Sequence, residues 1–293
     1  MAGAESGDRS FVMRFSRRAL FSVAVISLGG CATAPDIKQL GQSPLNVPVK
    51  TLVMESPMAV DQDRLHAVLA PDSRAGSQAS NALISSGEEH AQEFALAAMQ
   101  SDLEKQARLE VVTPAAKDNA LVDKIQGENL ASAITQDEAD KLHSATGADA
   151  LLRFGITDYG QTPKTWRSGY ITFEVVTTLG LAAIIASPGT AVAKAAAGTY
   201  LAEETVEETA EGYAGFWALD VVYRPVRIEA ELIRLNPVAT VWDYSDTGLS
   251  DRSLSRLTSK VSPAERDKQL DQATDDAVRD IVSTLASSMK RIN

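Results

Sequence analysis

At 293 residues, with 44% hydrophobic and 23% charged side chains, the chain can build one large domain or two small ones with a proper core and is too polar for a polytopic membrane protein. The net charge is −11, and because the first thirty residues hold Arg9, Arg14, Arg17 and Arg18 against Glu5 and Asp8, residues 31–293 stand at −13. Such acidity argues against nucleic acid, which needs clustered Lys and Arg to displace counterions, and against an electrostatic grip on anionic lipid.

Arg14-Phe15-Ser16-Arg17-Arg18 forms a basic leader, and the apolar run Ala19 to Ser27 is too short to span a bilayer, which takes about 20 residues. Residues 1–30 therefore read as a signal peptide. It ends in Leu28-Gly29-Gly30-Cys31, which resembles the lipobox of bacterial lipoproteins: an apolar residue, two small ones, then the cysteine. That resemblance implies cleavage before Cys31, lipid on its thiol, and recognition by the signal peptidase through Leu28, Gly29 and Gly30. Cys31 is the single cysteine, so no internal disulfide can form. Ala32 follows it and is not Asp. By likeness to enterobacterial lipoproteins this implies the outer membrane, on its periplasmic face, with retention in the inner membrane as the alternative. Ser16-Arg17-Arg18-Ala19-Leu20-Phe21 is compatible both with an ordinary basic leader and with a twin-arginine export motif.

Residues 31–49, punctuated by Pro35, Pro44 and Pro48, read as a tether, and 50–293 as the folded part. Lys50 to Glu55 reads as a strand, Arg64 to Leu69 as a second, and Ala75 to Ser80 as a loop. Ser86-Gly87-Glu88-Glu89 has capping-box spacing, so a helix is expected from there to about Gln106, with Phe94, Ala97, Ala98, Leu103 and Ala107 on its apolar face. Leu109 to Val112 follows as a strand. Thr135-Gln136-Asp137-Glu138 opens a helix carrying Ala139, Leu142 and Ala145, and Gly147 is placed to end it in the left-handed conformation. Ala150 to Tyr159 reads as a central strand. From Val226 to Leu235 the chain alternates, with Val226, Ile228, Ala230 and Leu232 inward and Arg227, Glu229, Glu231 and Ile233 outward. Asn236-Pro237 turns it into a hairpin with Ala239 to Tyr244. Leu270, Ala273, Ala277, Ile281, Leu285 and Met289 recur at helical spacing, which predicts a long amphipathic helix over Pro263 to Lys290. The fold class expected is α/β (α+β): a single mixed sheet with helices packed on it, an inserted apolar helical hairpin and a long C-terminal helix.

The helix ending in Thr146-Gly147-Ala148-Asp149-Ala150 and the strand Phe154-Gly155-Ile156-Thr157-Asp158-Tyr159 resemble the curli-secretion (CsgG-type) lipoproteins and TolB amino-terminal-type domains. Ile228 to Leu235, followed by Val241-Trp242-Asp243-Tyr244-Ser245-Asp246-Thr247-Gly248, is similar to the second hairpin of that family. The likeness covers about half of the mature chain and rests on turn and core residues. It implies a fold shared by secretion pores, activators of cell-wall synthases and adaptor lipoproteins, and leaves the activity open.

Between the matching segments, at about 170–215, lies an insertion in which Tyr170 to Tyr200 carries only Glu174 and Lys194 as charges. Val175 to Ala186 and Ala191 to Ala197 are joined by Ser187-Pro188-Gly189, the pattern of a helical hairpin. Leu179, Leu181, Ile184, Ile185 and Val192 are its interface candidates. Three uses are open: a subunit interface, packing on the chain's own domain, or dipping into the membrane. Phe216, Trp217 and Tyr223 read as core, with an interfacial aromatic belt as the alternative.

No catalytic constellation is legible. His66, His90 and His143 lack a second ligand at metal spacing, and no nucleophile elbow or phosphate loop is present. The Glu203 to Glu211 run reads as a solvated helix face; the spacing of Asp149, Asp158, Asp243 and Asp246 does not support a hydrolytic carboxylate pair, and turn chemistry at a strand end accounts for Asp243 and Asp246. The expectation is a non-enzymatic protein without cofactor, metal or small-molecule substrate. It is held on the membrane by lipid and works with an envelope protein or further copies of itself as scaffold, adaptor or activator. An oligomeric CsgG-like export pore, with the insertion reaching the membrane, is the alternative.

Overall fold

The computed structural model describes residues 49–115, 118–168, 215–217, 219–251, 256 and 258–290. The chain divides at Ala34/Pro35 into two units, and every described residue belongs to the second. Cys31, its lipobox, the tether to Pro48 and the insertion residues Leu179, Leu181, Ile184, Ile185 and Val192 lie outside the described residues.

Strand β1 (Lys50–Glu55) is followed by α1 (Gln62–Leu69) and α2 (Gln78–Asp102), then β2 (Glu110–Val112), α3 (Asn119–Gln126), α4 (Gln136–Thr146) and β3 (Ala150–Tyr159). After the insertion come β4 (Val226–Leu235), β5 (Val238–Gly248) and α5 (Pro263–Lys290). The five strands form one mixed sheet in the order β2-β1-β3-β4-β5. β1 pairs in parallel with β2 and β3, and β3-β4 and β4-β5 are antiparallel. The crossover from β1 to β2 carries α1 and α2 over one face; the crossover from β2 to β3 carries α3 and α4 over the other.

Period-two alternation sorts the strands between these layers. Val53, Leu152, Phe154, Ile156, Ile228, Ala230 and Leu232 meet α1, α2 and α5 in the main core. Leu52, Met54, Leu151, Ile233 and Leu235 meet Ile125 of α3 and Ala139 and Leu142 of α4 in a smaller one. Ile233 thus points away from Ile228 as its place in the alternation requires, yet it is buried, because that end of the second face is covered. In β5 the register slips at Val241, an extra residue between the pairs Leu232↔Trp242 and Ile233↔Thr240. The bulge turns two successive side chains, Val241 and Trp242, into the main core.

Several local readings are corrected. Arg64 to Leu69 is helical, because Asp61 caps α1 by accepting from the Arg64 amide at 2.9 Å and Leu65, Val68 and Leu69 then fall on one buried face. The following helix starts at Gln78, with Ser77 as its cap accepting from the Ser80 amide at 3.1 Å, so Ser86 to Glu89 lies in its interior. Its buried stripe runs through Ile84, Ala91, Ala95 and Met99 and on through a π-turn to Leu103 and Ala107; Ala97 is exposed and Phe94 half-buried. The capping box at Thr135 and the left-handed Gly147 (φ 69°) are as expected. The long C-terminal helix occupies Pro263–Lys290, with Leu270, Ala273, Ala277, Ile281, Leu285 and Met289 all buried.

The end of β5 meets α5 with almost no side chain between them. A Cβ at Gly248 would lie 2.0 Å from the Ala273 carbonyl oxygen and 2.4 Å from the Ala277 amide nitrogen. Asp276 accepts from the Leu249 amide at 3.1 Å and closes the seam. Asp246 also lies within this strand, paired in register with Ile228, and not in a terminal turn. Burial, with Asp280 and Asp276 of α5 adding like charge, pushes its carboxyl up to about 6.

Two outcomes follow for this seam. Gly248→Ala is expected to lower stability by about 2 kcal/mol or more, since backbone rather than a flexible side chain must give way; urea unfolding measures it. Asp246 binds its proton more tightly folded than unfolded, so its contribution is present below 3.8 and is lost as pH rises through about 6. Asp246→Asn should therefore raise the unfolding midpoint above that window and leave it unchanged below it.

Candidate functional site

The insertion leaves the sheet at the end of β3 and returns into β4, and its two stems, residues 160–168 and 215–225, meet at one built root. Gly160 makes the exit turn at φ +70°, donating its amide to the Pro225 carbonyl of the returning stem at 2.8 Å. A side chain there would meet Val68 at 2.7 Å and Leu270 at 2.9 Å, so the conformation and the close packing both ask for glycine.

Beside this turn, Asp158 is buried on β3 and paired with the Arg64 guanidinium of α1. Arg64 spends its other donors on the outgoing stem, through Nε to Gln161 Oε1 at 3.0 Å and Nη2 to the Thr162 carbonyl at 2.7 Å. The Lys164 amide donates to Asp158 at 3.2 Å, and the Lys164 ammonium pairs with Asp61, whose carboxyl is held below its usual range by that bond and by capping α1. One arginine thereby fixes a helix, a strand end and a stem in a single arrangement.

A second node joins the two stems. Asp220 of the returning stem accepts from both the amide and the hydroxyl of Thr162 (the latter at 2.7 Å) and pairs with Arg167. Arg167 also lies 5.5 Å from the centre of the Phe216 ring, a cation–π contact between the stems. The return is then docked on α5 by Gln269, which is buried and donates to the carbonyls of Val221 and Val222 at 3.3 and 3.2 Å, and on the segment before α5 by Arg256, which donates to Val222 at 2.7 Å. Phe216 is buried and Tyr223 half-buried, as expected of core; Trp217 departs from that reading, being 55% exposed.

Arg64, Asp158, Lys164, Arg167 and Asp220 are each paired within this root, whereas Arg224 of the returning stem forms no ion pair among the described residues and its Nε is buried without a hydrogen-bond partner. The other sequence candidates are scattered. Asp149 accepts from the Lys50 amide, His66 meets the Ser73 carbonyl, His90 pairs with Asp271, and His143 meets the Ala148 carbonyl at 2.6 Å. Among the described residues no three His, Cys, Asp or Glu side chains are placed to hold a metal, and no helix is long and apolar enough to cross a membrane. Arg64, Thr162, Arg167 and Asp220 were not singled out by sequence reading, because the partners that give them meaning are far away in the chain.

The two ion pairs are expected to differ in worth. Arg64→Ala leaves the Asp158 carboxylate buried without its counter-charge, at an expected cost of about 3–5 kcal/mol. Arg167→Ala, at the more exposed pair, should cost about 1 kcal/mol or less. Urea unfolding of both variants checks the ratio.

No protein-family model matches the chain, and no curated protein is similar to it. Among solved structures it is similar to a hypothetical protein, CT253, of Chlamydia trachomatis, determined at 1.65 Å resolution. The two share 8% identity with a TM-score of 0.38, over 82% of this chain and 98% of that one.

Proposed function

We propose that the chain is a lipid-anchored scaffold or adaptor on the periplasmic face of the outer membrane, non-enzymatic, whose apolar insertion docks on an envelope protein or on further copies of itself. The observation that carries this reading is the root: both stems are tied to each other and to β3, α1 and α5 through buried hydrogen bonds and an ion pair. A segment so mounted is presented from a fixed base, which lowers the cost of orienting it on a partner. Leu28-Gly29-Gly30-Cys31 supports the lipid anchor, and Ala32 the outer membrane. The acidity of residues 31–293 fits a protein partner rather than nucleic acid.

The test is the mass of the mature, lipidated protein in mild detergent, by light scattering with the detergent subtracted, for the full chain and for a variant lacking Thr178 to Thr199. A defined assembly or partner complex that is lost in the deletion variant supports the adaptor. A closed ring of many copies that permeabilises membranes on overproduction replaces it with the export pore. Assembly unchanged by the deletion removes the insertion from the proposal. Separately, Cys31→Ser is expected to abolish acyl labelling and to block cleavage of the signal peptide; acyl labelling that persists in the variant overturns the anchor.

A further inference from the structure

The sheet has two edges of unequal kind. β2 offers three residues before Thr113-Pro114 ends it, whereas β5 is eleven residues long and no strand among the described residues pairs beyond it. The N–H and C=O groups of β5 that point away from β4 are a template for another strand, the liability that sheet proteins ordinarily blunt. Here the blunting is by charge of one sign. β5 carries Asp243, exposed on one face, and Asp246, turned toward α5 on the other, and has no Lys or Arg.

The charge around Asp246 is unbalanced. From α5 it faces Asp276 and Asp280, and from its own strand Tyr244. Arg279 is engaged by Asp275 and reaches Asp276 at 3.8 Å. Arg227 of β4 donates to Ser245 and lies 3.3 Å from Glu229, on the opposite face of the sheet. Among the described residues no cation forms an ion pair with Asp246 or Asp280.

We propose that the free edge of β5 is a docking site for an extended segment of a partner protein that carries a lysine or arginine beside Asp246. Strand addition satisfies the open backbone groups, and a side chain directly across from Asp246 on the same face comes within about 5 Å of it, the reach of a cross-strand ion pair. A second copy of β5 does not fit, because it brings only aspartates to the seam and like charges placed opposite each other repel. The site does not involve the insertion. Loss of insertion-dependent assembly therefore leaves it standing, and its own failure leaves the adaptor reading standing.

The experiment uses the mature chain in mild detergent and two blocked peptides of about ten residues, alternating Thr and Val, with either Lys or Glu at the centre. Hydrogen exchange over residues 238–248 reports pairing, and its dependence on peptide concentration reports affinity. The Lys peptide is expected to protect these amides at about pH 7.5 and to bind about fivefold tighter than the Glu peptide or better. That preference should shrink as pH falls through about 6, where Asp246 takes up its proton, and should be absent in Asp246→Asn, which is expected to fold because it removes a buried carboxylate charge. Equal binding of the two peptides, a preference unchanged in Asp246→Asn, or outward-pointing β5 amides already slow to exchange in the free protein because other parts of the chain cover them would each overturn the proposal.

Discussion

Strand β3 is buried on both faces along nearly its whole length, and the rest of the architecture answers to that constraint. A strand so placed cannot hold a charge that is left unanswered. It holds two. Arg153 is 1% exposed and pairs with Glu231, its cross-strand partner on β4, at 2.6 Å, while its Nη2 donates to the carbonyls of Leu130 and Ser132 at 3.2 and 2.6 Å. That network pins the loop of the second helical layer onto the sheet. Asp158, near the other end, is answered by Arg64 and pins the root of the insertion. The two compensations tie the layers to the strand at opposite ends.

The same strand divides the sheet. On one side it runs parallel with β1, so a helical crossover must lie between them; on the other it runs antiparallel with β4 and needs no such helix. α5 supplies the cover that β4 and β5 would otherwise lack, and the flush contact at Gly248 shows how closely it lies. Near that contact Asp246 faces Asp276 and Asp280 of α5, and burial, with this like charge, pushes its carboxyl up.

Legibility in the sequence followed the strength of local pattern. β4 and α5 were readable because one period, two or three and a half to four residues, persists over ten or more positions, whereas β5 was legible only from Ala239 to Tyr244, since the bulge at Val241 breaks its alternation. The capping box at Thr135 was readable because both reciprocal partners lie within four residues. α1 was not, since six residues from Arg64 to Leu69 are too few to separate the two periods and only the Asp61 cap decides. The first turn of α2 is polar and small and lacks an apolar stripe; what starts it is Ser77, whose hydroxyl accepts from the Ser80 amide. The site was least legible of all, because Arg64 and Asp158 are 94 residues apart and Thr162 and Asp220 are 58 apart. Nothing local marks an arginine as the partner of a distant carboxylate.

In the anchored protein proposed above, tension would enter the sheet at the N-terminal end of β1, just after the tether, and leave through the insertion at the C-terminal end of β3. β1 and β3 are adjacent and parallel. A pull between those two points slides one strand along the other and loads all the hydrogen bonds of the pair together; it does not peel them open one at a time. An interior parallel pair is therefore well suited to a protein tethered at one end and gripped at the other, and its yielding under load would be abrupt rather than progressive.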